Sequence, residues 1–277
     1  MPGKHDPPGN PLSVYEFGSR LITTNDLDPV YVIVYNASMP TEQLKRWLVA
    51  YWCFYHAGTA GWAAGSCTGE EGFWLNMKTA AGSKEYPRSS ERRHYRGVQA
   101  AASVEYLCSK GVGGLFAYLG KEGRVCSAEH VLETVKTWKG FGPWIAFKAA
   151  DMLERLGLYK VRFGLATTLY SSPRDGAKAL WKRERKTDPP AHAGEWAMNK
   201  LLTSRELAGL KAPPSYDRPL GYQEAETVLC KWHSYTKGSY HLGEDVEAVH
   251  KSLTGKFQEV PLCKRLLQGG KDGGLWE

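Results

Sequence analysis

The chain has little sulfur chemistry to offer. Its six cysteines, Cys53, Cys67, Cys108, Cys126, Cys230 and Cys263, never come closer than fourteen positions. That spacing excludes CxxC redox motifs, zinc ribbons and iron–sulfur ligand runs. Most sit in apolar stretches, where a reduced cysteine behaves as a small hydrophobe. Long apolar runs are missing as well, none approaching the roughly eighteen residues of a membrane span. The N-terminus, Met1-Pro2-Gly3-Lys4-His5-Asp6-Pro7-Pro8, lacks the apolar core of a signal peptide. The cytoplasm is therefore the expected compartment. There is no P-loop and no His or carboxylate grouping at metal-ligand spacing, so neither ATP nor a metal nor another cofactor is expected. Strands do not alternate with helices, which argues against a doubly wound sheet.

Aromatics and positive charge are plentiful. Ten Trp and fifteen Tyr exceed ordinary needs, and 36 Lys and Arg against 29 Asp and Glu leave a net charge of +7. Aromatic packing between helices accounts for most such side chains, but a surplus also suits stacking on exposed bases. The cations cluster: Arg88, Arg92, Arg93 and Arg96 fall within nine residues, with further groups at Lys178–Lys186 and at Lys264 and Arg265. A polyanionic partner is compatible with that pattern.

Periodicity predicts a mainly α protein. Asp28-Pro29 opens a first helix, although the β-branched run Val30–Tyr35 competes as a strand. Thr41 caps a clearer helix whose Leu44, Trp47, Leu48, Tyr51, Phe54 and Tyr55 recur at three- and four-residue spacing, with Gly58 as its stop. The small residues Ala60–Gly65 fit a close helix contact or a loop. Further helices are expected around Phe73, Trp74 and Met77, through Val104 and Leu107, from Ser127 to about Thr137, over Trp144–Leu156, over Ala177–Arg185 behind a Ser172 capping box, and over Gln223–Tyr235. Residues 1–12 and the glycine-rich 268–274 are expected to be loose. The resulting division is a flexible segment at 1–19, one helical domain at 20–255 carrying a hairpin at 139–143, and an extension at 256–277.

Two motifs carry chemistry. In Lys139-Gly140-Phe141-Gly142-Pro143-Trp144 one helix ends, a Gly-x-Gly turn follows and an apolar helix begins. The glycines permit φ > 0 and close backbone approach, leaving the first amides of the second helix outward beside the positive end of its dipole. Such a turn binds an anion, commonly DNA phosphate. Lys139, Gly140, Gly142, Trp144 and Lys148 are the candidate DNA-binding residues, and an ordinary αα-hairpin is the bland alternative. The second motif is Tyr86–Gly97. If helical from about Ser89, it sets Arg92 and Arg96 on one face and points Arg93 and His94 elsewhere. Arginine forks match phosphate oxygens and His94 suits proton transfer near neutral pH; a solvated basic face is the alternative.

The hairpin resembles that of the helix-hairpin-helix DNA glycosylases. Their catalytic Asp would fall downstream, but 158–166 holds no carboxylate, Pro143 and Trp144 stand where bifunctional members carry a lysine, and no cysteine cluster is present. Taken in order, Leu27-Asp28-Pro29-Val30-Tyr31, the segment Arg46–His56, Phe73-Trp74, Ser90–Gly97 and the Gly-Phe-Gly-Pro-Trp hairpin resemble the bacteriophage amino acid:DNA transferases. The resemblance covers roughly residues 20–255 and implies a glycosylase-like helical scaffold. It also implies a reaction in thymine hypermodification, a process that protects phage DNA from host restriction. An amino acid amine, often that of glycine, displaces phosphate from phosphorylated 5-hydroxymethyluracil in DNA, with DNA and a free amino acid as partners in the host cytoplasm.

The implied site needs cations for the leaving phosphate, a base for the amine and a pocket for an extruded base. Arg92, Arg93 and Arg96 are candidates for the phosphate or the amino acid carboxylate, and Glu91 or His94 for the base. Tyr51, Trp52, Tyr55 and His56 are candidates for the pocket, although core packing is the commoner fate of any one aromatic. Lys148 and Asp151 share a helix face, and Glu224, Glu226, His233, Tyr240 and His241 surround the late helix. Two other readings remain: a monofunctional glycosylase using a carboxylate such as Asp151, and a non-catalytic DNA-binding module.

Overall fold

The computed structural model describes residues 11–120, 124–164 and 170–277. Residues 1–10, and with them most of the segment expected to be loose, lie outside that description. Among the described residues the helices are α1 (Val14–Thr23), α2 (Pro29–Asn36), α3 (Thr41–Phe54), α4 (Ala57–Gly65), α5 (Gly69–Gly82), α6 (Gly97–Leu119), α7 (Ala128–Lys136), α8 (Pro143–Arg155), α9 (Ser171–Arg185), α10 (Ala193–Leu202), α11 (Tyr222–Thr236), α12 (Glu244–Leu253) and α13 (Pro261–Asp272). Strands β1 (Val125–Ser127) and β2 (Lys160–Arg162) make one short parallel pair. The fold is mainly α. No described helix is long and apolar enough to cross a membrane.

Contacts group the chain into two units. The first contains Met1–Asp28 and Phe163–Asp245, and the second contains Pro29–Arg162 and Val246–Glu277. The boundaries drawn from sequence at 19/20 and 255/256 fall inside α1 and inside the 3-10 turn Gly255–Phe257.

In the first unit, α9 and α11 pack together with α1 and α10 around Phe17, Leu21, Leu180, Leu201, Leu229 and Trp232. Ser13 caps α1 in a full capping box with Glu16. The box expected at Ser172 does not form: α9 starts at Ser171, and its cap residue Tyr170 makes no side-chain capping bond.

In the second unit, α3 is buried along most of its length. Val30–Tyr35, which could have been a strand, is helical in α2, with Val30–Val34 buried and Tyr35 exposed. The stop expected at Gly58 comes earlier. Tyr55 ends α3 in the left-handed region at φ 49°, and His56 starts α4 by accepting the Thr59 amide on Nδ1 at 3.1 Å. Gly58 instead lies inside α4, where a Cβ would stand 2.0 Å from the Ser252 carbonyl oxygen. A Cβ at Gly61 would stand 2.5 Å from Cys263 Sγ. The small residues are therefore a close helix contact, the first of the two options the sequence offered.

The glycine-rich 268–274 is not loose. Residues 268–272 complete α13 and 273–274 turn out of it, and α13 packs on α2 so tightly that a Cβ at Gly269 would meet the Ile33 carbonyl at 2.3 Å. Absent side chains serve here to let backbones approach. Within α6 the chain breaks at Gly111, φ 67°, and Glu70 of α5 caps the restart by accepting the Val112 amide at 2.6 Å and the Trp74 indole at 3.0 Å.

Candidate active site and nucleic-acid interface

All the residues expected at the site belong to the second unit. The hairpin forms between α7 and α8, which pack against each other. Only Gly140 uses a left-handed backbone, at φ 81°, whereas Gly142 is extended at φ −100° with open space where a Cβ would be. Trp138 and Phe141 turn into the core, while Lys139, Gly142 and Pro143 stay exposed and Trp144 is half-buried. Pro143 holds the first helical position, where its missing N–H costs nothing.

The hairpin carbonyls point inward to donors. Ser103 Oγ donates to the Lys139 carbonyl at 2.5 Å and Arg92 Nη1 donates to the Gly140 carbonyl at 3.1 Å. Ser103 in turn lies 2.9 Å from the buried Tyr95 hydroxyl.

The basic segment is not the expected helix. It runs extended to Ser89, makes one 3-10 turn over Ser90–Arg92, and enters α6 only at Gly97. Arg92 and Arg96 consequently do not share a face. Arg92 is 8% exposed, whereas Arg93, His94 and Arg96 are exposed. The segment wraps the end of α3, whose last carbonyls lack helical partners. The Ser89 amide donates to the Phe54 carbonyl at 3.1 Å, and Arg92 Nε to the Cys53 carbonyl at 3.0 Å. Thr59 Oγ1 donates to the Pro87 carbonyl at 2.8 Å. Arg88 is likewise internal, donating to the carbonyls of Tyr95, Ala80 (3.2 Å) and Ser83 (3.3 Å). Half of the basic cluster thus fastens structure and half faces solvent. A charge run alone gives no sign of which half is which.

The aromatic candidates also divide. Trp52 is fully buried, stacked near Phe116 and Trp138, with its indole N–H toward Met152 Sδ at 3.4 Å. Trp47, Tyr51 and Tyr55, at i, i+4 and i+8 on α3, form a ring ladder with centroid steps of 4.8 and 4.6 Å, and Trp144 continues it edge-on at 4.8 Å. The ladder rises from the buried Trp47 to the half-buried Tyr55 and Trp144. Burial first, then Tyr55 and Glu91, raises the Tyr51 phenol well above its usual pKa, and Lys148 opposes. Glu91 and Lys148 therefore both lie within electrostatic reach of Tyr51, although they are 57 positions apart in sequence. Tyr51 stays protonated at neutral pH and hydrogen-bonds with Tyr55. Lys148 is itself buried at 9% exposure. It belongs with this cluster rather than with a solvated helix-surface pair. His56 spends Nδ1 on the α4 cap and is held neutral, its pKa lowered to about 4 by burial and then by Lys256.

The weaker candidates have internal partners. Asp151 is fully buried, accepts the Tyr31 hydroxyl at 2.8 Å and stands 4.0 Å from Arg155. In the first unit, Glu224 accepts the Gly221 amide at 2.7 Å and a two-pronged bond from Arg218 at 2.9 and 3.1 Å. Tyr240 donates to Asp26 at 2.8 Å, His241 pairs with Glu244 at 3.2 Å, and Cys230 contacts Ser172 at 3.3 Å. Burial, then Lys237, lowers the pKa of His233. Among the described residues no group of three or more His, Cys, Asp or Glu side chains is placed to hold a metal ion.

Comparison with known proteins spans most of the chain. Residues 22–241 match the sequence profile of the amino acid:DNA transferases. A glycinyltransferase of Pseudomonas phage PaMx11 is 34% identical, the alignment covering 87% of this chain and 90% of the relative. A putrescinyltransferase of Delftia phage PhiW-14 is 28% identical over 87% of this chain and 78% of the relative. The chain therefore belongs to the amino acid:DNA transferase family.

Proposed function

We propose that the enzyme joins glycine, through its amine, to phosphorylated 5-hydroxymethyluracil in phage DNA within the host cytoplasm, as a step of thymidine hypermodification. The family supplies transfer of an amino acid to DNA. The glycinyltransferase relative, similar over nearly its full length, favours glycine as donor. The observation that carries the reading is the ladder Trp47–Tyr51–Tyr55–Trp144, which ends beside the hairpin with Glu91 and Lys148 near Tyr51.

In this reading the outward amides of α8 and Lys139 hold the DNA phosphates, and the exposed edges of Tyr55 and Trp144 stack on an extruded base. Glu91 takes the proton from the ammonium, whose pKa of about 8 to 10 requires only a modest base; His94 is the second candidate. The amine lone pair attacks the exocyclic methylene carbon, the C–O bond breaks, and phosphate leaves with the bonding electrons. Lys148 and the exposed Arg93 and Arg96 stabilise that phosphate or hold the glycine carboxylate. Tyr51, its phenol protonated, keeps a proton to donate.

The test is an oligonucleotide carrying phosphorylated 5-hydroxymethyluracil, incubated with the twenty amino acids and putrescine and digested to nucleosides for mass spectrometry. A glycine adduct is expected. E91Q is expected to cut kcat by about 10²–10⁴, the usual worth of a positioned proton acceptor, while R93A and R96A chiefly raise KM. A putrescine adduct would replace the donor, an abasic site would replace the reaction by base excision, and unchanged nucleoside with every donor would refute the reading for this base.

A further inference from the structure

Arg92 drew attention as a substrate-binding cation, yet its guanidinium faces the wrong way for that. It lies beneath the hairpin, with one N–H on the Cys53 carbonyl at 3.0 Å and another on the Gly140 carbonyl at 3.1 Å. Among the described residues the charge pairs with no carboxylate there. It sits instead against the rings of Tyr95 and Phe141, 4.4 and 5.1 Å from their centroids. Burial lowers its pKa, with Cys53 and Tyr95 opposing, but a guanidinium stays protonated throughout. Cations over ring faces and bonded to carbonyls at a helix C-terminus are stabilised in such a setting.

The two carbonyls belong to two different functional elements. Cys53 is two residues before Tyr55, the left-handed residue that ends α3 and presents the half-buried rung of the ladder. Gly140 is the left-handed residue of the hairpin turn. A single planar fork therefore ties the end of the ladder to the turn, and Ser103 holds the adjoining Lys139 carbonyl from the same side. With both carbonyls turned inward, the turn's outer side is left to Gly142, Pro143 and the leading amides of α8.

We propose that Arg92 is a positioning residue that fixes the hairpin turn and Tyr55 in one mutual register, so that gripping the DNA backbone and seating the extruded base are coupled. The proposal rests on the reading of the turn as a phosphate grip. Lysine is not an adequate substitute, because one ammonium on a flexible stem does not reproduce a rigid fork aimed at two separate oxygens. Serial loss of one bond should loosen the turn while the charge is retained.

The experiment uses the full-length protein and unmodified duplex DNA, with binding followed by fluorescence anisotropy across a salt series. Comparison is between wild type, R92K, K139A and M77A. Met77 is fully buried in α5, so M77A lowers the melting temperature without touching turn or ladder. K139A is expected to reduce the slope of log affinity against log salt by about 1, the loss of one phosphate contact. R92K is expected to reduce the slope as well and to weaken binding about tenfold at fixed salt, although residue 92 does not face the DNA. In turnover, R92K should raise KM for the DNA and lower kcat while leaving KM for glycine unchanged. M77A should bind as wild type does.

An R92K protein that binds with wild-type slope and affinity overturns the proposal. So does an equal loss in R92K and M77A, which would reduce Arg92 to general stability. A raised KM for glycine in R92K would make it a donor-binding residue instead and would also overturn it. A wild type whose binding does not respond to salt or to K139A would refute the phosphate grip itself. Wild-type binding that behaves as expected without glycine adduct formation would refute only the proposed reaction.

Discussion

Replacing His56 with asparagine separates a helix cap from its pH dependence. The neutral imidazole Nδ1 accepts the Thr59 amide at 3.1 Å, and a protonated ring has no lone pair left for it. Burial and the Lys256 ammonium hold the folded-state pKa at about 4, against 6.5 for the ordinary side chain. Between those values the unfolded chain binds a proton that the folded chain refuses. The stability contributed by the neutral His is therefore complete above about pH 6.5 and is lost as pH falls toward 4. At pH 5 the loss amounts to about 2 kcal/mol, or about 4–8 °C in melting temperature for a protein of this size. Asparagine is a strong N-cap and does not titrate. H56N should thus lie within about 1 kcal/mol of wild type at pH 7.5. It should be spared the acid loss at pH 5, gaining on wild type by about 2 kcal/mol. Calorimetry of both proteins at half-unit pH steps measures the difference, since carboxylates common to both cancel. Parallel profiles from pH 7.5 to 5 would refute the assignment of a neutral, buried cap.

Two further predictions concern stability. G58A should be severely destabilised, by several kcal/mol on the order of an overpacked core, because its Cβ would meet a backbone carbonyl at 2.0 Å; G82A, in open space near the end of α5, should be neutral or gain about 0.5 kcal/mol. Denaturant melts of the pair decide it, and similar midpoints would count against the α4 packing. E70Q should cost about 1–2 kcal/mol, because the charge-assisted cap on Val112 is replaced by a neutral one. Hydrogen exchange should then rise at Val112 and the residues just after it while the stretch before Gly111 keeps its protection.

Much of the site was legible from spacing. Trp47 and Tyr51 are four residues apart within α3, so helical geometry aligns them, while Tyr55 joins them from the left-handed residue at the helix end; Gly140-Phe141-Gly142-Pro143 marks a turn that opens a helix whatever surrounds it. What spacing could not supply was direction. Arg92 and Arg93 are neighbours of the same type, yet one fastens Cys53 to Gly140 and the other faces solvent. Nothing local distinguishes them, because the carbonyls that draw Arg92 inward belong to residues 39 and 48 positions away. The same holds for Lys148, which reaches Tyr51 electrostatically, as Glu91 also does, only because of how α3, α8 and the 3-10 turn meet.

Glycine misled for a related reason. Gly58 looked like a stop and 268–274 like a loose tail because glycine is conformationally free in isolation. Where Gly58 of α4 meets the Ser252 carbonyl of α12 and where α13 meets α2, the property that matters is the missing Cβ, which becomes visible only once the partner backbone is in place. The sequence by itself determined the helical class, the placement of most helices, the hairpin and the transferase resemblance, since periodicity, turn chemistry and ordered motifs are local or collinear signals. The tertiary structure decided which cations are buried, which aromatics remain reachable and which glycines are contacts, because burial is set by residues distant in the chain.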